Sequence, residues 1–564
     1  MTRRILRNVF DRADPTTAIG VAAAACYLLY HRYLYRAPRP VVHLVLLLLV
    51  PVALVSLFAR RLSVIQQCSH VLIYWTIVAA LTVLYRISPL HPLARYPGPL
   101  AAKLSKFYLA NLIVKGRAHE NIRALHRDYG DVVRIGPNEL SFNRSDAIPT
   151  IYAEKTMPKG PYYITRQSLD GVVQIDGVSD FKEHARRSKP WAKAMNGTAI
   201  KTYQPIVSST VAELIEQLDK RVGGEVNMSD WMNFYGFDLM GRVVFGREWG
   251  MLREARDVGD YCHTIDKCVI MLAWLSQVPW IYPIMQLLSP PAEVNKMKEM
   301  GDNSCIARID SGGSGTKDLY YYLMNEDGSS KSQLTRKEGL SDGVVAIIAG
   351  SDTAATALTH LCYYFLQRPE CLRRLRHEIE EVYPSLGDEL EDLARQADML
   401  YLNACLNETL RLLPPVLTGL QRSVEDGTGG AMIAGYFVPE GTEVSVHHYS
   451  VQRNPKEFSP LPDTFWPDRW LEQDTYVLPT GGAIDRAQVH TNRNAFMPFS
   501  VGLQQCAGKN LALLELRAVA CALFRRFDMT PSEKSNLENY ERGLMDVYVT
   551  VKGPLYVHLT ARQL

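Results

Sequence analysis

The stretch Phe499-Ser500-Val501-Gly502-Leu503-Gln504-Gln505-Cys506-Ala507-Gly508 sets one cysteine in a glycine-punctuated loop, and Lys509 to Arg525 continue it as an amphipathic helical run. A thiolate, not a thiol, binds metal, and the free N–H groups and macrodipole of a helix N-terminus favour negative charge. Cys506 is placed to receive that help and reads as an iron ligand. Gly502 and Gly508 would let the backbone turn sharply and lie close to a flat ligand. The other reading of Cys506 is a buried free cysteine ahead of a core helix.

Upstream, the longest helical pattern opens at the capping-box spacing Thr335-Arg336-Lys337-Glu338 and runs to about Gln367, after which Pro369 suits the first turn of a new helix. Its middle holds Ala349-Gly350-Ser351-Asp352-Thr353. Glycine costs about 1 kcal/mol against alanine in a helix interior, and an Asp-Thr pair is a poor helix former, so their presence in an apolar helix points to a site. A kink, with Thr353 bonding back to a carbonyl one turn earlier, is the alternative. Glu408-Thr409-Leu410-Arg411 places a carboxylate and a guanidinium on one helix face, suited to a local ion pair.

The chain has 564 residues, enough for roughly two to four domains, although large helical enzymes use most of such a length in one unit. A net charge of +3, with no basic stripe interleaved with aromatics, argues against a nucleic-acid partner. Ten scattered cysteines without a C-x-x-C pair exclude the usual zinc spacing and fit a reducing compartment. Cys362, Cys371 and Cys405 fall in helical patterns and read as core.

The first 86 residues differ in composition. Apolar runs near Thr17–Tyr30, Val41–Phe58 and Val71–Tyr85 are separated by arginine-bearing links at Arg32–Arg39 and Arg60–Arg61. Only the second run meets the length of about 20 residues that a spanning helix needs. The expected organisation is a membrane anchor of up to three helices over 1–86, a Pro-rich hinge over 87–99 and a catalytic domain over 100–564. From Leu100 helical patterns dominate. Short strands are expected at Asp131–Gly136, Glu139–Phe142 and within Met432–Val446.

These segments together resemble the cytochrome P-450 superfamily. The cysteine loop matches F-x-x-G-x-R-x-C-x-G at Phe499, Gly502, Cys506 and Gly508, but Gln504 stands where an arginine usually holds a haem propionate. A/G-G-x-D/E-T is matched at 349–353, E-x-x-R at Glu408 and Arg411, and P-x-R-[WF] at Pro467, Arg469 and Trp470, in the order the superfamily uses. The resemblance implies a mainly α fold with a smaller β part, preceded by N-terminal membrane helices. It also implies haem b with Cys506 as axial thiolate, Asp352 and Thr353 as catalytic residues serving protons and dioxygen, and Glu408, Arg411 and Arg469 as a structural triad.

For the propionates, His184 to Lys193 is similar to the family's H-x-x-x-R or W-x-x-x-R helix, yet Ser188 and Met195 fill the arginine positions. His184, Trp191, Lys189, Lys193 and Arg422 are candidate donors, and Gln504 can still offer a neutral hydrogen bond. A solvated charged face is the plainer reading of that cluster. The candidate pocket lining, by analogy, is Tyr162–Gln174, Cys268–Tyr282, Ala346, Ala349, Leu417–Leu420 and Met545.

The implied activity is insertion of one oxygen atom from dioxygen into an apolar small molecule. No Rossmann or flavin-binding fingerprint is present, so an NADPH-dependent flavoprotein reductase is the implied electron donor, docking near Arg186, Arg187, Lys189 and Lys193. The segments His91–Pro99 and His447–Arg453 look like fungal members that tailor secondary metabolites, at the endoplasmic reticulum membrane with a cytosolic catalytic domain. Rival readings are a reductase-independent peroxygenase, isomerase or dehydratase, and a non-catalytic membrane haem-binding protein. The Asp352-Thr353 pair argues against the last.

Overall fold

The computed structural model describes residues 14–33, 42, 45–59, 62–167, 171–312, 315, 317–329, 332–384 and 392–562. The arginine-bearing link at 34–39, Arg60–Arg61 and residues 168–170 of the candidate lining lie outside the described residues. Helix outweighs strand, 60% to 10%, which settles a mainly α class with a minor β part.

The central element is the helix Arg336–Gln367. Thr335 caps it: its hydroxyl accepts from Glu338 N–H, while the Glu338 carboxylate accepts from Thr335 N–H at 2.8 Å, the reciprocal arrangement that the spacing predicts. The helix is long and apolar enough to cross a bilayer, but most of it is buried in protein, which marks it as a core element. Its closest neighbour is the helix Met228–Phe245. There, a Cβ on Gly236 would lie 2.6 Å from the Ser351 carbonyl oxygen, and one on Gly350 would meet the Met240 side chain at 2.3 Å. Close helix packing is therefore part of the reason for glycine at 350. The helix Lys509–Arg526 packs on another side of the central helix and carries the cysteine loop at its N-terminus.

The expected strands Val132–Gly136, Glu139–Phe142 and Glu443–Val446 form a mixed sheet in that order, completed by a short strand Arg422–Ser423 that the sequence reading did not expect. The middle pair is parallel and the outer pairs antiparallel, so the last strand brings Arg422 to a buried edge. Behind the sheet, Glu408 accepts from Arg411 Nε and Nη2 at 2.8 Å each, from Arg469 Nε at 3.0 Å, from Trp466 N–H and from Trp470 Nε1, all fully buried. The triad thus closes as the two sequence segments suggest.

At the N-terminus the helices Pro15–Tyr33, Val45–Phe58 and Val64–Ile87 pack on one another through Ile19, Ala23, Val55 and Tyr74. The lengths fall differently from the sequence reading. The third run is the long one, because Ser63 caps it eight residues before its apolar run begins and Gln66 completes a capping box. The second is helical from Val45. The Pro-rich segment after them is not a free hinge. Tyr96 Oη donates to Phe437 O at 2.6 Å, Arg134 N–H donates to Pro97 O at 2.7 Å, and Leu93 and Tyr96 are buried against the sheet. Its prolines stiffen a strap docked on the catalytic body.

Candidate functional site

The cysteine loop is closed by Cys506 N–H donating to Phe499 O at 2.9 Å. Gly502 has φ +78°, and a Cβ there would sit 2.5 Å from Tyr152 O, so only glycine fits this turn. Gly508 plays a different part from the one expected of it. Its φ is ordinary, and an added Cβ would meet only the Cys506 sulfur at 3.9 Å, so its bareness keeps the space beside the thiol open. Lys509 Nζ lies 6.0 Å above the Phe499 ring, tying the two ends of the loop.

Burial pushes the Cys506 thiol up, while the N–H groups of Gly508 and Lys509 and the Lys509 charge pull it down. The help expected from the helix N-terminus is present, but desolvation outweighs it in the protein alone. A cation bound at sulfur reverses that balance, because the metal becomes the largest local charge. Cys506 is crowded by protein yet keeps solvent-accessible surface, and Ala349 is exposed in the middle of a central helix whose Ala346, Ile347 and Ser351 are buried.

Thr353 Oγ1 donates to Ala349 O at 2.7 Å, the back-bonded geometry, in a helix that runs unbroken through 349–353. Asp352 Oδ1 lies 3.4 Å from Lys552 Nζ, which in turn donates to Asn233 Oδ1 at 2.7 Å. Asp266, on the helix Tyr261–Gln277, joins the same field. Burial raises its carboxyl to about 7, Asp352 adds to the rise and Lys552 opposes it. Lys552, Asn233 and Asp266 were missed by sequence reasoning because none belongs to a motif; only the fold brings the C-terminal strands to the central helix.

The propionate candidates divide. Trp191 Nε1 donates to Asp342 Oδ2 at 3.2 Å, and Arg187 is ion-paired to the same carboxylate, so this helix is tied to the central helix and Trp191 offers no free donor. His184 is buried and held neutral, pushed down to about 4 by burial and by the charges of Lys159, Arg422 and Arg187. Arg422 is 2% exposed, with its guanidinium 5.2 Å from the Tyr152 ring and no carboxylate within ion-pair distance among the described residues. Both amide atoms of Gln504 are buried without a partner. Buried polar atoms and an uncompensated buried cation are what a bound dicarboxylate would satisfy, so the residues present fit a haem.

The expected docking patch is largely neutralised. Arg186 pairs with Glu183 and Glu338, Arg187 is buried on Asp342, and Lys193 is 3.1 Å from Asp327. Of the four, Lys189 alone is exposed and without a carboxylate among the described residues. A basic docking face is not built from that helix. In the candidate lining, Tyr162 stacks on Tyr548 at 5.8 Å, and Arg166 lies 4.7 Å from the Tyr548 ring.

A cysteine loop at the N-terminus of a helix packed on the central helix that carries the acid–threonine segment, together with a buried Glu-Arg-Arg triad, is the plan of a haem-thiolate oxidoreductase. The chain belongs to the cytochrome P450 family: the Cytochrome P450 family model matches residues 97–558. It is similar to cytochrome P450 monooxygenase orf5 of Eupenicillium brefeldianum, 31% identical over 84% of this chain and 92% of the relative. It is likewise similar to cytochrome P450 monooxygenase phqL of Penicillium fellutanum, 31% identical over 84% and 81%, and to averantin hydroxylase of Dothistroma septosporum, 31% identical over 87% and 90%. The protein is an oxidoreductase of the cytochrome P450 monooxygenase type, with a haem-thiolate cofactor.

Proposed function

We propose that the protein inserts one oxygen atom from dioxygen into an apolar small molecule of fungal secondary metabolism, drawing electrons from an NADPH-dependent flavoprotein reductase. The observation that carries the reading is the solvent-accessible thiol of Cys506, held at the N-terminus of a helix that packs on the helix bearing Asp352 and Thr353. The haem, when bound, supplies dioxygen activation. This chain supplies the sulfur ligand, shaped by the Gly502 turn and stabilised as an anion by the N–H groups of Gly508 and Lys509. Asp352 Oδ1, held by Lys552, is placed to pass protons toward Thr353 Oγ1, whose own hydrogen is committed to Ala349 O and whose lone pairs remain to accept.

A hydroxylase among the relatives supports oxygen insertion over isomerase or dehydratase chemistry. The helix Val64–Ile87, largely uncovered by protein, supports an anchor within residues 1–86, followed by the docked strap and a catalytic domain over 100–564, cytosolic at the endoplasmic reticulum. The test is the carbon-monoxide difference spectrum of the reduced protein. A thiolate-type band in the wild type that is lost in Cys506→Ser, with turnover dependent on NADPH and reductase, is the expected result. A band unchanged by Cys506→Ser overturns the assignment.

A further inference from the structure

Lys159 lies outside every motif, yet the fold buries it. It is 9% exposed, and its backbone forms an antiparallel bridge with Arg422. That bridge is locked on both sides, by Ser423 N–H donating to Pro158 O at 2.9 Å and by Ser179 Oγ donating to Lys159 O at 2.8 Å. Its ammonium donates to Ile175 O at 3.3 Å and lies 5.6 Å from the Tyr163 ring. No carboxylate stands within ion-pair distance of Lys159 or Arg422 among the described residues. The charge of Asp176 reaches Lys159, but that carboxylate is 3.1 Å from Arg166.

Two adjacent buried cations without an anion are electrostatically costly unless a ligand supplies the missing charge. Burial, above all, pulls the Lys159 ammonium down to about 7, with Arg422, Arg166 and Arg187 pushing the same way and Asp176 opposing. The pair is joined to the cysteine loop by direct packing. Gly502 rests on the Tyr152 carbonyl, and the Tyr152 ring lies under the guanidinium of Arg422, whose backbone is bridged to that of Lys159. On the loop itself, the residue at the position of the expected arginine is the neutral Gln504, its amide unpartnered.

We infer that Lys159 is a cofactor-positioning residue that, with Arg422, clamps the haem propionates and supplies the charge absent at Gln504. The inference rests on the haem-thiolate reading above. It also accounts for the tolerance of glutamine at 504, since the cation has moved to a different segment of the chain.

The test is the rate at which the full-length ferric protein gives up haem to excess apomyoglobin, compared for protohaem and its dimethyl ester. Lys159→Met should lose protohaem about tenfold faster than wild type, the loss of one charged contact, with an unshifted thiolate Soret band. Lys159→Arg should retain wild-type kinetics, and Gln504→Arg introduced into Lys159→Met should restore most of the retention. With the ester, wild type and Lys159→Met should become alike. Equal protohaem loss from wild type and Lys159→Met, or the same acceleration with ester as with free acid, overturns the inference. The wild-type chain provides a check that needs no variant: if it holds the ester as firmly as protohaem, no propionate clamp exists. A wild-type chain that takes up neither pigment would instead fail the haem-thiolate reading itself.

Discussion

Replacing Glu408 by glutamine removes the anion at the centre of the buried triad while keeping its volume, and the structure sets the size of the effect. The carboxylate accepts five hydrogen bonds, three from guanidinium groups. Burial pulls its pKa up, but Arg411 and Arg469, with Trp466 N–H, hold it down from 4.5 to about 2. For a group with no exposed surface, that depression corresponds to about 3 kcal/mol of stability. Breaking one partner of a buried pair costs about 3–5 kcal/mol, so two routes agree. Burial draws Arg469 down to about 10 in spite of Glu408, so Arg469 stays charged at neutral pH and Glu408→Gln leaves two guanidinium groups facing an amide with half the acceptors. The folded pKa lies below the unfolded one. The stabilisation is therefore complete above about pH 4.5 and is lost as the pH falls toward 2. Urea unfolding of wild type and Glu408→Gln should differ by about 3 kcal/mol at pH 7, and the difference should shrink steadily below pH 4.5. A difference under about 1 kcal/mol at pH 7, or one that does not change on acidification, would refute the electrostatic account of the triad.

Gly502→Ala should lower stability by at least about 2 kcal/mol and reduce haem content in thermal unfolding and pigment assays, because a left-handed turn and a backbone oxygen both exclude the new methyl. Lys552→Met should cut turnover about tenfold or more while leaving the carbon-monoxide band in place, since it frees Asp352 without touching the thiol; unchanged turnover removes Lys552 from the proton path. Deleting residues 1–86 should move the protein from the membrane pellet to the soluble fraction, because the helix Val64–Ile87 presents Ile65, Leu72 and Leu84 outward. Continued pelleting would show that the catalytic body binds the membrane by itself.

What the sequence made legible and what it hid follow from how far apart the cooperating groups lie. The cysteine loop, the capped central helix and the E-x-x-R pair are local: each is written within ten residues or one or two helical turns, where spacing alone fixes which groups face each other. The sheet strands were legible for the same reason, since alternation is a short-range property. Charge neutralisation is not local. Trp191 looks like a ligand donor and Arg187 like part of a docking face, yet Asp342, on the central helix, takes both. Lys193 looks like part of a docking face until Asp327 is folded against it.

The converse holds for Lys159 and Lys552, unremarkable in sequence and distinguished only by where the chain carries them. Lys552 acquires a role because the C-terminal strands return to the central helix and place it on Asp352 and Asn233. Lys159 acquires one because a bridge to Arg422 buries it with no carboxylate in ion-pair distance among the described residues. A cation that could rotate into solvent would have no such significance, since water would satisfy its charge at little cost. Confinement is what turns an ordinary lysine into a demand for a ligand. The glutamine at 504 fits the same argument: had the arginine been kept in the loop, a third buried cation would stand beside Arg422 and Lys159, facing only two propionates. Neutrality at 504 and charge at 159 are thus two halves of one electrostatic balance, and restoring arginine to the loop should be favourable chiefly where Lys159 has been removed.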